Sequence, residues 1–226
     1  MVTEQEIKSF YDTVRFPGLY SADDVVSHND YLICERYTCF IYETGIQTVL
    51  DVGCGTGFIA NVIAYHCPHV KVVALDFSDT IKHGKKISKE LGLTNIEWKQ
   101  VNFFDYKPKE KFDVVLSNGS IHHMPNFELA VERVKDLSKK WILVGLYNKY
   151  GKWAQRNLKT NYINDTFRAD QTEIPFELSF SHKEVQEHFK DCTLQKVTPS
   201  IFGLGVDFFS LFRGKWGGFT FYTFKK

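Results

Sequence analysis

Apolar and polar residues are arranged along this chain in two different patterns. Short stretches such as 46–52 (IQTVLDV) and 70–77 (VKVVALDF) are almost continuously apolar, which is typical of strands buried on both faces of a sheet. The segments between them repeat apolar residues every three or four positions, as 126–140 does, and this spacing is typical of helices. Strands that alternate with amphipathic helices predict an α/β fold with a mainly parallel sheet.

The same pattern predicts the central elements in order. Buried runs are expected to form five strands, and amphipathic segments are expected to form the helices between them. The strands are predicted at 46–52, 70–77, 95–103, 111–118 and 141–148, and the helices at 58–66, 79–92 and 126–140.

The two ends of the chain depart from this alternation. Helical spacing predicts two N-terminal helices, at 4–14 and 25–44, with a loop between them. Near the other end, a serine followed three residues later by a glutamate predicts a capped helix over 181–191. The strand-like stretches 193–202 and 217–226 then predict a C-terminal antiparallel hairpin, which brings the sheet to seven strands.

Composition and charge exclude several classes of protein. The 226 residues are 43% hydrophobic, which is enough for one domain with a full core. The formal net charge is +1 and the basic residues are dispersed, so a nucleic-acid partner is not expected. The five cysteines form no CxxC pair, and neither a secretory signal nor a membrane span is present, so we expect a cytoplasmic protein with reduced thiols.

A glycine-rich stretch supplies the first functional signal. Residues 49–58 (VLDVGCGTGF) place Gly53, Gly55 and Gly57 directly after a strand and before a helix. This arrangement puts bare backbone at the carboxyl edge of a parallel sheet, where ligands bind. A dinucleotide fold requires its third glycine one position later, where this chain has Phe58, so a pyrophosphate cradle is the weaker interpretation.

Asp76 ends the second predicted strand and is the next polar candidate. A carboxylate at this place can accept hydrogen bonds from both hydroxyls of a ribose, and NAD and S-adenosylmethionine both present free hydroxyls. Asp76 alone therefore does not separate the two cofactors. A second interpretation is that it only begins the following helix, although Ser78 and Asp79 are better placed for that.

At this point the sequence resembles the class I S-adenosylmethionine-dependent methyltransferases. The segment 50–57 (LDVGCGTG) is similar to the first motif of that family almost letter for letter. The resemblance implies a Rossmann-like fold in which the backbone of Gly53, Gly55 and Gly57 approaches the cofactor, with the polar Asp51 beneath it.

Further signatures of the family follow in the expected order. The resemblance implies that Asp76 binds the ribose and that Phe77 packs on the adenine. In VNFFDY, Asp105 is similar to the acidic residue that meets the adenine amino group, with Phe104 beside the ring, although Asp105 also fits a solvated loop. In FDVVLSNGSIHHM, Asn118 is expected to face the cofactor or the substrate.

The two histidines of that last segment are the candidate catalytic residues. A neutral imidazole can remove a proton from a hydroxyl or phenol acceptor, so we expect His123, and after it His122, to act as general base. The alternative is that one histidine faces inward and only bonds a backbone carbonyl. Tyr11 and Tyr20, from the N-terminal cover, are expected to position the substrate, and no metal site is predicted.

The chain is interpreted as one domain with four parts. These are N-terminal cap helices (1–44), a cofactor-binding core (45–147), a substrate lid (148–180), and a C-terminal helix and hairpin (181–226). The lid is too long for a plain connection, and its basic residues fit either an acidic substrate or a solvated helix face. They are Lys149, Lys152, Arg156, Lys159 and Arg168.

The sequence therefore predicts an enzyme that transfers a methyl group from S-adenosylmethionine to a small molecule, with the acceptor atom left open. A methyltransferase acting on RNA or on a protein side chain is the alternative. The N-P-P-[YF] motif of enzymes that methylate nucleic-acid bases is absent after Asn118, which weakens base methylation. A third hypothesis is a cofactor-binding protein without turnover, or a nicotinamide oxidoreductase.

Overall fold

The structure is a computed structural model that describes residues 3–16, 18–28, 34–150, 177–200 and 219–226. Most of the predicted lid lies outside the described residues, and so do four of its five basic residues. Those four are Lys152, Arg156, Lys159 and Arg168.

The N-terminal helices are shorter and more divided than predicted. Helix α1 spans Glu4–Thr13 and α2 spans Ala22–Val26, and a π-helical turn at Cys34–Cys39 leads into α3 at Phe40–Thr44. The single helix predicted over 25–44 is thus wrong.

The physical reason lies at the two ends of α2. This helix begins inside the predicted loop because Ser21 and Asp24 form a capping box. It ends at Val26, where the backbone and hydroxyl of Ser27 both donate hydrogen bonds to the Asp23 carbonyl, at 2.8 and 2.6 Å.

The remaining elements confirm the predicted alternation. The helices are α4 (Phe58–His66), α5 (Ile81–Glu90), α6 (Phe127–Leu137) and α7 (His182–His188). The strands are β1 (Thr48–Val52), β2 (Lys71–Asp76), β3 (Ile96–Gln100), β4 (Phe112–Asn118), β5 (Ser138–Asn148), β6 (Ser179–Phe180), β7 (Thr193–Ser200) and β8 (Phe219–Lys225).

All strands belong to one sheet with the order β3-β2-β1-β4-β5-β8-β7. Strands β1 to β5 are parallel, and β8 is inserted antiparallel between β5 and β7. The predicted parallel sheet with a C-terminal antiparallel pair is therefore confirmed. An eighth strand, β6, adds parallel to the end of β5 and was not predicted, because two residues are too short to give a pattern.

Apolar side chains cover both faces of the sheet. In β1, Leu50 and Val52 pack into one core cluster together with Phe127 of α6, whereas Val49 packs into the opposite cluster together with Ile63 of α4. All of these side chains are buried. Alternation of this kind follows from the two-residue period of a strand, and it explains why the strands are almost wholly apolar.

The strand order determines where a ligand can bind. Strands β2 and β4 flank β1 on its two sides, so the connections that leave β1 and β4 diverge at the carboxyl edge of the sheet. Such a point opens a crevice in parallel α/β sheets. The glycine stretch, Asp76 and Asn118 all lie at this edge because they end β1, β2 and β4.

Candidate functional site

A cavity of about 660 Å³ opens at this carboxyl edge. We divide its walls into a glycine-loop side, formed by Gly53, Gly55, Asp76, Phe77 and Phe104, and a histidine side. The histidine side is formed by Tyr11, Asn118, His123, Tyr147 and Phe219. Eight of these ten residues are predicted site residues, and Tyr147 and Phe219 are the additions.

The three glycines have the left-handed backbone conformation, with φ of +66° at Gly53, +55° at Gly55 and +80° at Gly57. Each also lies against another part of the protein. A Cβ would clash with the Ser120 side chain at Gly53 and with the backbone carbonyl of Phe16 at Gly55.

At Gly57, which does not line the cavity, a Cβ would clash with the Trp98 ring. Glycine is thus required here by conformation and by close packing. Gly53 and Gly55 in addition expose bare backbone to the cavity.

Asp76 organises the glycine-loop side. Its Oδ2 accepts a hydrogen bond from the Gly55 N–H at 2.8 Å, and its Oδ1 accepts from the N–H and hydroxyl of Ser78 at 2.8 and 2.6 Å. Burial raises the pKa of Asp76, and the bonds from Ser78 and Gly55 oppose that shift. The Phe77 backbone also bonds Asp76 and opposes the shift, so this carboxylate supports the turn before α5 while it lines the cavity.

Asp51 lies beneath the glycine loop rather than in the cavity wall. Only 2% of its surface is exposed, and it is not a lining residue. Burial, and then the nearby charge of Asp76, raises the pKa of Asp51 to about 8. This carboxyl is therefore largely protonated near neutral pH.

Asn102, rather than Asp105, reaches the cavity from the loop after β3. Asp105 is exposed and does not line the cavity. Asn102 lines it, accepts a hydrogen bond from the Phe104 N–H at 3.0 Å and donates one to Glu4 at 2.9 Å. Strand β3 ends at Gln100 and not at residue 103 as predicted. The correct strand end would have identified Asn102 as a loop residue at the carboxyl edge of the sheet.

The N-terminal segment is tied across the top of the cavity. Besides the Glu4–Asn102 bond, Asp12 of α1 accepts a hydrogen bond from the Asp79 N–H at 2.7 Å. The Thr56 N–H and hydroxyl donate to the Phe16 carbonyl at 3.0 and 3.2 Å. Helix α1 therefore covers the crevice.

Tyr20 does not line the cavity, although it was predicted to position the substrate. Its hydroxyl donates to the Thr56 carbonyl at 2.9 Å and accepts from Asn61 at 2.7 Å. In this structure Tyr20 anchors the N-terminal segment to the glycine loop.

The two histidines differ in their access to the cavity. Both lie in the short 3-10 turn Ile121–His123, and their ring centroids are 4.2 Å apart. His123 is 9% exposed and lines the cavity, where the Tyr11 ring is 5.7 Å away. His122 is fully buried behind it and does not line the cavity.

The buried ring of His122 has an unusual environment. Neither ring nitrogen has a partner in hydrogen-bond geometry among the described residues. Burial, and then the adjacent His123, holds the pKa of His122 well below its usual range, and the Gly145 backbone opposes this only weakly. His122 is therefore neutral at physiological pH.

A carboxylate from the C-terminal part of the chain joins the two histidines. One ligand atom each of His122, His123 and Glu177 lies within 4.8 Å of the others. Sequence reasoning missed Glu177, which falls in the predicted lid, because no local pattern marks it. Imidazole and carboxylate groups can also ligate Zn²⁺, and the absence of a metal stays a prediction.

Two further observations concern a charged lid residue and the length of the helices. Lys149, the one basic lid residue that the structure describes, forms an ion pair with Glu184 at 2.6 Å. Within the described ranges, no helix is long and apolar enough to cross a membrane.

Comparison with known proteins gives consistent results. A family model described as a methyltransferase domain matches residues 45–196, which is more than half of the chain. A bifunctional methyltransferase from Rickettsia typhi is 33% identical over 115 residues, 49% of this chain and 22% of that protein. An (S)-coclaurine N-methyltransferase from Papaver somniferum is 31% identical over 96 residues, 41% of this chain and 27% of that protein. The chain thus spans about a quarter of the length of these relatives.

One solved structure shares the fold over the whole chain. Magnesium protoporphyrin IX methyltransferase from Synechocystis PCC 6803, with bound S-adenosylmethionine, superimposes with a TM-score of 0.67. The match covers 100% of this chain and 98% of that chain at 10% sequence identity, so it shows a common fold. The predicted Rossmann-like methyltransferase fold is confirmed.

Proposed function

Because the chain belongs to the class I S-adenosylmethionine-dependent methyltransferases, we propose that it methylates a small molecule and that His123 is the general base. The observation that carries this proposal is a single cavity whose two sides hold the glycine loop with Asp76 and the candidate base His123. A cavity of about 660 Å³ lies in the range of small-molecule sites.

The residues of the glycine-loop side fit the cofactor. Gly53 and Gly55 expose bare backbone to the cavity, and the Asp76 carboxylate lines the same wall, where it can meet a ribose hydroxyl. Asn102 offers an amide to the adenine where the predicted acid, Asp105, does not reach. S-adenosylmethionine supplies an electrophilic methyl group on a sulfonium. Phe77 and Phe104 then flank the adenine.

His123 serves the acceptor. Its ring lines the cavity between Tyr11 and Tyr147, with ring centroids 5.7 and 6.3 Å away, so aromatic walls surround the place where a proton is removed. An acceptor bound there transfers its proton to the imidazole, and the apolar walls exclude water from it. Asn118, on the same side, orients the acceptor through its amide.

A small acceptor is favoured over a macromolecule. Helix α1 crosses the cavity and is bonded to both Asn102 and the Asp79 backbone, which leaves little room for a polymer to enter. The similar Papaver protein is named an (S)-coclaurine N-methyltransferase, which supports a nitrogen acceptor. The cytoplasmic location stays a prediction.

The test uses S-adenosylmethionine labelled in its methyl group and an extract of the source organism separated into small-molecule, RNA and protein fractions. Label in the small-molecule fraction supports the proposal and identifies the acceptor. Label in RNA or protein overturns the choice of acceptor. Intact cofactor binding without label in any fraction contradicts the proposal that the protein transfers a methyl group.

The acceptor found in this way is then used to test whether His123 is the general base. His123→Asn should lower kcat by about 10²- to 10⁴-fold, the usual contribution of a general base. Its control is His69→Asn, at an exposed position at the opposite edge of the sheet, which should leave kcat unchanged. Full turnover by His123→Asn with an unaltered pH profile would exclude His123 as the base.

A further inference from the structure

The carboxylate beside the histidine pair has no role in the mechanism described so far. Glu177 lies far along the chain from the 3-10 turn, yet one of its oxygens is within 4.8 Å of a ring nitrogen of both His122 and His123. Both of its carboxylate oxygens are buried, as the His122 ring is. A carboxylate removed from water to this extent has a high desolvation cost and needs a positive partner.

The backbone around Glu177 is held in this position. The Leu178 N–H donates a hydrogen bond to the His122 carbonyl at 2.9 Å. The next two residues form β6, which pairs with the end of β5 at Tyr147 and Asn148. Phe180 of β6 stacks on Phe127 with ring centroids 4.3 Å apart, which anchors the segment in the core.

Among the described residues, the other ring neighbours of the pair are aromatic. Tyr11 approaches from α1 and Tyr147 from β5. From β8 the neighbour is the apolar ring of Phe219. A carboxylate at 4–6 Å favours the charged form of a histidine, so Glu177 can stabilise an imidazolium here.

We propose that Glu177 is a positioning residue for the base: its carboxylate orients His123 and stabilises the imidazolium that forms during methyl transfer. As the acceptor atom bonds to the methyl carbon, the carbon–sulfur bond breaks and its electron pair stays on sulfur. The acceptor proton passes to His123, and the resulting positive charge faces Glu177. The proton leaves to solvent after product release. This inference rests on the proposed function.

The first experiment needs no acceptor. Ring resonances of His122 and His123 are followed by NMR from pH 4 to 9 in the full chain and in Glu177→Gln, with His122→Asn and His123→Asn for assignment. Loss of the negative charge removes stabilisation of the imidazolium, so the pKa of His123 should fall by about one unit or more. The control Glu187→Gln removes an exposed carboxylate of α7 that pairs with Lys190, and should leave the pKa unchanged.

The second experiment uses the acceptor once it is known. In Glu177→Gln the acid limb of kcat/KM should move to lower pH by the same amount as the NMR titration, and kcat should fall about tenfold or more. KM should remain within about twofold, and Glu177→Asp should restore part of kcat. A merely structural role would lower the melting temperature without moving the acid limb.

Two results would overturn the inference. One is an identical His123 titration in the wild type and in Glu177→Gln, which leaves His123 as base but without this partner. The other is a stoichiometric metal ion, found by elemental analysis of the wild type and lost in Glu177→Gln, which would make the cluster a metal site. A fully active His123→Asn variant overturns the proposed function instead, so the two failures are distinguishable.

Discussion

The glycine-loop side and the histidine side of the cavity are built in different ways. On the glycine-loop side, Gly53, Gly55 and Asp76 come from the ends of adjacent parallel strands, and Asp76 bonds directly to the Gly55 backbone. The histidine side combines groups from α1, β4, the 3-10 turn, β5 and β8, and Glu177 joins its histidine from the segment before β6. One side is thus a strand-end motif, whereas the other is assembled by tertiary contacts.

This difference separates two functions. In the proposed function, the glycine-loop side holds a cofactor whose structure is the same for every member of the family. An acceptor varies from one enzyme to another, and the groups proposed to meet it come from separate elements rather than from one local motif. We therefore expect substitutions on the glycine-loop side to affect stability and cofactor binding, and substitutions on the histidine side to affect turnover.

The largest effect on the glycine-loop side is expected for Gly55→Ala. The new Cβ meets the Phe16 carbonyl, which belongs to the backbone and cannot rotate away, and the position has a φ of +55°. The free energy of unfolding should fall by about 2–4 kcal/mol, as measured by urea denaturation.

Its matched control is Gly92→Ala, where φ is +66° but nothing lies within 4 Å of the new Cβ. That variant should lose only about 1 kcal/mol, the cost of the backbone conformation. Equal losses in the two variants would show that the Phe16 contact contributes nothing.

Much of the glycine-loop side could be predicted because its signals are local. A strand, three glycines and an acid at the end of the next strand are all read from short windows, and the sheet order follows from the alternation of elements. Asn102 was missed for a local reason, since the apolar Val101 and Phe103 made β3 look longer than it is.

The histidine side could be predicted only in part. His122 and His123 are marked by their place after β4, but sequence does not tell which ring lines the cavity. Glu177 could not be found, because its position depends on the hydrogen bond from the Leu178 N–H to the His122 carbonyl and on a two-residue strand. Long-range contacts of this kind leave no periodicity in the sequence.

A second prediction concerns the pH dependence of stability. Burial raises the pKa of Asp51 in the folded protein to about 8, far above the value near 4 expected when unfolded. Between these values the folded state holds a proton that the unfolded state lacks, so stability should fall as pH rises from 5 to 8. The slope for one such group reaches about 1.4 kcal/mol per pH unit.

Asp51→Asn removes this titration, so urea denaturation at pH 5, 6, 7 and 8 should give a flatter dependence than in the wild type. Part of the slope remains, because burial also raises the pKa of Asp76. The control Asp136→Asn, at an exposed acid paired with Lys111, should keep the wild-type slope. If Asp51→Asn kept it as well, Asp51 would be ionised throughout this range.

The smallest effect is expected where α1 joins the two sides, since Glu4 bonds Asn102 on one side and Tyr11 faces His123 on the other. The Glu4–Asn102 bond is exposed, so water replaces it at little cost. Glu4→Gln should therefore change the Kd of S-adenosylhomocysteine, measured by calorimetry, by about twofold at most, which corresponds to roughly 0.4 kcal/mol. Glu43→Gln, an exposed change in α3, is the control. A tenfold weaker Kd in Glu4→Gln alone would mean that α1 closes over the cofactor through this one bond, and the two sides would no longer be independent.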